Sequence, residues 1–300
     1  MKRHQFRGLG VALVTPFRNG KIDFDALEKI IEYQIENGTD FLVSLGSTGE
    51  AIGLSTLECK AVLRFTVKVN AGRLPIVAGL FGHNNTAQLV NRIKSYEFEG
   101  IDAIMSSSPA YNKPNQEGIY QHYRAIAKAS PRPIIIYNVP GRTASNVLPT
   151  TILRLARSSE KFIAVKEATG DLVQGCELLK HRPDDFLVLS GDDPTALPFM
   201  ACGADGVISV IGNALPREFS ELTHAALNGD FARARQLHLQ LFHLYHWLYV
   251  DGNPAGVKAA LEILHLCQRD VRLPLTPQSP ENILGLRQAM EQAGVLSIPC

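Results

Sequence analysis

The sequence has no C-x-x-C pair, no G-x-G-x-x-G fingerprint behind its first apolar run, and no apolar stretch near the ~20 residues of a membrane span. Its five cysteines, Cys59, Cys176, Cys202, Cys267 and Cys300, are odd in number and scattered. That pattern excludes a disulfide framework and a zinc or dithiol motif, and it reads as free thiols in a reducing compartment. An excess of charge of one sign is also missing. Thirty Lys and Arg oppose 29 Asp and Glu for a formal charge of +1, too weak a field to recruit nucleic acid or an anionic membrane. Small-molecule partners are what remains. The opening "MKRHQFRGLGVALVTPF" is basic, but its apolar run is short, contains Thr15 and Pro16, and lacks a small-residue cleavage site. A cytoplasmic enzyme or binding protein, with neither nucleic acid nor membrane as partner, is the expectation.

What is present is a rhythm. With 45% apolar residues and 24 glycines in 300 positions the core can be large. Eight short β-branched runs recur, at 8–17, 41–50, 75–80, 103–109, 133–140, 162–170, 186–193 and 206–212. Each is followed by apolar residues at helical spacing, the signal for repeated βα units around a parallel sheet. In 24–38, Leu27, Ile30, Ile31 and Ile35 share one face and Gly38 supplies the stop. Eight such units fit a (β/α)8 TIM barrel, and the missing nucleotide loop argues against an open doubly wound sheet. Further helices are expected near 216–228, 230–250 and 254–267. A Pro-rich linker at 271–282 then leads into 279–295, with Ser279 as N-cap, Pro280 in the first turn and Gly294 as terminator. The expected division is a barrel catalytic domain, 1–225, and a C-terminal helical region, 226–300, packed on it.

In such barrels chemistry gathers where the strands end. Those ends are polar here: "GSTGE", "SSSPAYNKP", "YNVPGRT", "KEATG", "SGDD" and "SVIGN". Strand alternation puts Lys166 on the same side as Ala164 and Ala168. Facing inward between small neighbours, its amine would be desolvated, lowered in pKa, and able to attack a ketone and form a Schiff base. Facing outward, it would pair with an acid as a structural lysine, and alternation alone does not choose. Tyr137 has the parity to face inward, where a phenol can shuttle protons during imine chemistry; it also suits any half-buried strand. Arg142, in the loop that follows, offers a fork for a carboxylate or is a solvated loop residue. The turn holding Ser47 and Thr48 can cradle an anion on its backbone N–H groups or simply start a helix.

Taken together, "GVALVTPF", "GSTGE", "PAYNKPNQEGIYQHY", "YNVPGRT", "KEATG", "LSGDD", "GVISV" and "GNPAGVKAAL" resemble, in order and along the whole chain, the dihydrodipicolinate synthase / N-acetylneuraminate lyase family of pyruvate-dependent class I aldolase barrels. The resemblance implies a lyase whose Lys166 captures pyruvate as an imine, with Tyr137 as acid and base and Thr48 with Tyr111 completing a hydroxyl relay. It implies substrate contacts at Ser47, Thr48, Arg142, Gly191 and Ile208, and neither a metal nor an organic cofactor. The synthase branch of the family condenses pyruvate with L-aspartate 4-semialdehyde to 4-hydroxy-tetrahydrodipicolinate, in lysine and diaminopimelate biosynthesis. Tyr111 would reach a neighbour's site, which implies a homo-oligomer, a tetramer built as a dimer of dimers.

Two departures bear on that reading. Synthases commonly carry a second Thr in the turn where this chain has Ser47, as the sialic-acid lyases do; against that, Arg142 is absent from those lyases and suits a short acidic aldehyde. An N-acetylneuraminate lyase-like enzyme acting on a sugar acid is therefore the alternative. A non-catalytic barrel sensing a keto acid would not need the full set of Lys166, Tyr137, Thr48, Tyr111 and Arg142. Lysine-inhibited synthases often carry two histidines and a tyrosine where this chain has Thr56, Cys59 and Ala110, so feedback inhibition is expected to be weak or absent. Outside these motifs, His238, His243 and His246 are read as packing and interface residues rather than metal ligands, and Asp193 as a helix N-cap.

Overall fold

Strands that are apolar on both faces need cover on both sides, and a closed parallel sheet ringed by helices supplies it. In the computed structural model, which describes residues 3–296, the apolar runs form β1 (Gly8–Ala12), β2 (Phe41–Ser44), β3 (Ile76–Ala78), β4 (Ala103–Ser107), β5 (Ile134–Asn138), β6 (Phe162–Glu167), β7 (Leu187–Ser190) and β8 (Gly206–Ser209). All pairs are parallel, and β8 closes on β1 with Gly10 opposite Ile208. The fold is the expected (β/α)8 barrel.

Between the strands run α1 (Phe24–Glu36), α2 (Thr56–Asn70), α3 (Thr86–Lys94), α4 (Gln116–Ala129), the single turn α5 (Pro140–Thr143), α6 (Pro149–Ser158), α7 (Leu172–His181) and α8 (Asp193–Ala201), and α9 (Pro216–Leu227) follows the last strand. Their ends obey local chemistry. Asp23 accepts from Ala26 N at 3.1 Å to start α1, and Ser55 with Glu58 forms a capping box on α2. Three further helices follow: α10 (Phe231–Tyr249), α11 (Ala255–Ile263) and α12 (Pro280–Gln292). Ser279 caps α12 through Asn282 N at 3.2 Å, as expected.

Two apolar layers result. One lies between the sheet and the helices; the other fills the barrel interior with Phe6, Phe41, Val77, Met105, Ile135, Tyr137, Ala164, Leu189 and Ile208. Phe41 occupies the floor, edge-on to Phe6 at 5.6 Å. A bulge lies at the start of β6: Ile134 faces Phe162 but Ile135 faces Ala164, so Ile163 is the extra residue. From Ala164 onward the register is regular, and Tyr137 pairs with Lys166, which pairs with Leu189.

Several expectations need adjustment. The first run stops as a strand at Ala12; Phe17–Arg18 instead folds back on Lys21–Ile22 as a hairpin. Asn19 and Gly20 turn it at positive φ, the Asn-Gly pair that favours such a turn. The last run stops at Ser209 and becomes a 3-10 turn. His238 does pack, with Nδ1 3.4 Å from the Tyr245 hydroxyl, whereas His243 and His246 lie on the exposed face of α10. The cap of α8 is Asp192, which accepts from Thr195 N at 3.2 Å; Asp193 is buried and bonds elsewhere. Cys59, Cys176, Cys202 and Cys267 are free thiols, and Cys300 lies outside the described residues. No helix among the described residues is long and apolar enough to cross a membrane.

Candidate active site

At the C-terminal ends of β5 and β6 the barrel interior turns from apolar to polar. Lys166 points inward there, only 6% exposed, its Nζ 5.5 Å from the centre of the Tyr137 ring. The outward, acid-paired reading fails: among the described residues no carboxylate lies within ion-pair distance of it. Burial is the main influence on the amine and brings its pKa down to about 8. Asp193 and Asp192 oppose that drop, and the Arg142 charge adds to it.

Room for the side chain comes from a missing one. A Cβ on Gly191, just past β7, would lie 2.7 Å from Lys166 Cε and 2.7 Å from Ala168 Cβ. Glycine at 191 and alanine at 168 thus leave the channel that the lysine occupies. Ile208, fully buried in β8, belongs to the same interior layer.

Tyr137 is buried, and its hydroxyl lies 3.3 Å from Ser47 Oγ. Burial raises its pKa, and the Ser47 bond and the Arg142 charge pull the other way. The turn that carries Ser47 uses the N–H groups of Gly49 and Glu50 internally, on Gly46 and Ser47 oxygens. Those of Ser47 and Thr48 have no backbone acceptor among the described residues, which leaves two donors that an anion can use. Thr15, just past β1, supports the turn: its Oγ1 donates to Gly49 O at 2.7 Å.

Thr48 differs from the expected chain of hydroxyls. It is buried, and its Oγ1 accepts from Asn253 Nδ2 at 2.9 Å, while Ser47 is the hydroxyl that meets Tyr137. Arg142 is exposed on α5 at the rim, and its Nη2 lies 3.4 Å from Asn253 O. Tyr111 is not gathered with the others within this chain. Its side chain is 91% exposed, with φ +66°, although its N–H donates to Thr143 O at 3.1 Å beside Arg142.

Three buried groups at this site were not anticipated. Asn253 has just been described. Asp193, 1% exposed, accepts from Val210 N at 3.0 Å and Ile211 N at 2.8 Å beyond β8; burial pushes its pKa up to about 6. Lys258 of α11 is fully buried, its Nζ 2.5 Å from Glu50 Oε1 at the end of the turn. The motif "GNPAGVKAAL" was the sequence signal for Asn253 and Lys258, but a motif does not say what its residues touch.

The site therefore combines a desolvated amine, a phenol at its side, a turn with two N–H groups that have no backbone acceptor, and a rim guanidinium. Comparisons with known proteins place the chain as a whole. The chain is 48% identical over 295 residues to the 4-hydroxy-tetrahydrodipicolinate synthase of Parabacteroides distasonis, covering 98% of each. The crystal structure of dihydrodipicolinate synthase from Aquifex aeolicus superposes with a TM-score of 0.92 at 42% identity, over 96% of this chain and 98% of that one. The Acinetobacter baumannii enzyme, solved in complex with pyruvate, gives a TM-score of 0.93 at 40% identity, over 97% and 99%. The model of the dihydrodipicolinate synthetase family matches residues 5–293, and with relatives this similar along nearly its whole length, the chain belongs to that family.

Proposed function

We propose that this protein condenses pyruvate with L-aspartate 4-semialdehyde through an imine on Lys166, giving 4-hydroxy-tetrahydrodipicolinate. The observation that carries the reading is Lys166 itself, inward, desolvated and set beside the Tyr137 phenol. In this reading the pyruvate carboxylate rests on the Ser47 and Thr48 N–H groups. The neutral amine attacks the ketone carbon, and the carbinolamine loses water as Tyr137 delivers the proton. Loss of a methyl proton gives an enamine whose carbon attacks the aldehyde, with Arg142 holding the aldehyde's carboxylate. The amino group of the semialdehyde then attacks the imine carbon, closes the ring and releases Lys166. The imine nitrogen accepts the electron pair, so the cycle calls for no metal or organic cofactor. Residues 1–225 form the catalytic barrel and 226–300 the helical region in this account.

A pH dependence follows. Below pH 8 the amine is protonated and cannot attack, so kcat/KM for pyruvate should rise with pH and level off above about 8. A profile flat from pH 6 to 9, a range set around that value, would contradict the assigned nucleophile.

Tyr111 belongs to the account as a donor to a neighbouring subunit in a tetramer, which its exposure and its rim anchor support. Mixed oligomers of Tyr111→Phe and Lys166→Ala subunits, each inactive alone, should regain activity; verified hybrids that stay inactive would remove the shared site. Cys59 is turned into the core and Ala110 has no side-chain donor, which supports weak or absent inhibition by lysine. An inhibition midpoint far below millimolar would overturn that expectation.

The reading is tested by pyruvate-dependent turnover of L-aspartate 4-semialdehyde beside N-acetylmannosamine. Preference for the semialdehyde is expected. Preference for N-acetylmannosamine would make Ser47, not Arg142, the guide to the substrate and favour the sugar-acid alternative.

A further inference from the structure

The segment from Asn253 to Lys258 reaches back 205 and 208 positions in sequence to hold both ends of the turn at Thr48 and Glu50. We propose that Asn253 and Lys258 are positioning residues: the first sets the direction of the Thr48 hydroxyl, and the second fixes the turn on which pyruvate rests. The proposal builds on the pyruvate reading above and assigns roles to two residues it does not use.

A hydroxyl has one proton and two lone pairs. Asn253 Nδ2, an obligate donor, occupies one lone pair of Thr48 Oγ1 at 2.9 Å, and both side chains are buried. The Thr48 proton is thereby excluded from the Asn253 side and must find its acceptor elsewhere. The Asn253 backbone carbonyl meets Arg142 Nη2 at 3.4 Å, so one residue touches both the pyruvate side and the aldehyde side of the site.

The turn needs an external hold. Leu45 and Glu50 flank it at φ +62° and +52°, a left-handed conformation that side-chain-bearing residues adopt only when their surroundings impose it. Glu50 Oε1 takes Lys258 Nζ at 2.5 Å, and Oε2 accepts Arg272 N at 3.1 Å. The ammonium is itself fixed: it donates to Asp270 O at 2.8 Å and lies 4.1 Å over the Phe17 ring. Among the described residues no hydrogen bond or ion pair joins this cluster to Lys166, so its effect on the reaction passes through the turn.

Asn253→Asp tests the first role because it keeps the size of the side chain and removes the donor. A carboxylate would draw the Thr48 proton toward itself and away from that acceptor. The expected result is a variant that still folds, with a lower melt because the new carboxylate is buried, a pyruvate KM little changed and kcat lower by about tenfold or more. The second role is tested by Lys258→Met with Glu50→Gln, which removes both charges at similar volume and so leaves no unpaired ion. Here pyruvate KM should rise about tenfold, the loss expected when a charge-assisted contact is misplaced. Borohydride trapping of the imine at saturating pyruvate should persist in both variants.

Folded variants with parental kcat and KM would overturn the proposal. If one variant fails to fold, the other decides; if both fail, the residues are structural and the positioning roles fall. The parent enzyme serves as control: absence of any trapped pyruvate imine in it would defeat the pyruvate reading, whereas an intact parent with indifferent variants would defeat only the clamp.

Discussion

Lys166→Ala is expected to fold, to melt at or above the parental temperature, and to lose pyruvate-dependent turnover by on the order of 10⁴-fold or more. The two halves of that result have one cause. An amine 6% exposed, whose pKa burial brings down to about 8, is less comfortable charged in the folded chain than in water. Below pH 8 the folded state holds a proton there at a cost. As the pH rises from 8 toward the ordinary lysine range, only the unfolded chain keeps that proton and the cost fades. Removing the amine removes this cost at neutral pH, offset by the small cavity between Ala168 and Gly191. A structural lysine would behave in the opposite way, losing stability and leaving catalysis intact. Thermal melts and a coupled assay on the same preparation distinguish the two.

Tyr137→Phe should lower kcat by about 10²- to 10⁴-fold, the range for a lost general acid–base group, while leaving the pyruvate KM within a few-fold. The ring stays in the interior layer beside Ile135 and Ala164, so the barrel is unaffected and only the hydroxyl is missing. Stability should fall by about 1 kcal/mol for one lost hydrogen bond, the one to Ser47 at 3.3 Å. Borohydride trapping should slow in proportion to turnover, since the phenol is assigned to imine formation as well as to the later proton transfers. Parental trapping and turnover in Tyr137→Phe would move the acid–base role to another group.

The parts of this molecule that follow from near neighbours in the chain were legible in the sequence. Alternating apolar runs and helical spacing announced the barrel, Ser279 announced its cap, and the small residues around Lys166 left room for an inward lysine without choosing it over an outward one. The register at Lys166 survives the Ile163 bulge because the extra residue precedes Ala164. What escaped depends on contacts between distant segments. Nothing local to Asn253 says that it meets Thr48, and nothing local to Glu50 says that it is paired with a fully buried lysine from α11. Asp192 and Asp193 are adjacent and chemically identical, and only the packing of α8 against the loop beyond β8 decides which caps the helix and which is buried. The Asn19–Gly20 hairpin is a different case, since its turn signal is local. The surrounding Arg18 and Lys21 gave it too little apolar alternation to stand out from the first strand's loop.

The central claim is that Lys166 forms an imine with pyruvate. Its most direct test is borohydride reduction of the enzyme with pyruvate, then digestion and mass spectrometry of the modified peptide. The account predicts one adduct, on the peptide containing Phe162–Glu167, that is abolished in Lys166→Ala. An adduct on a different lysine, Lys258 for example, or none at all, would contradict it.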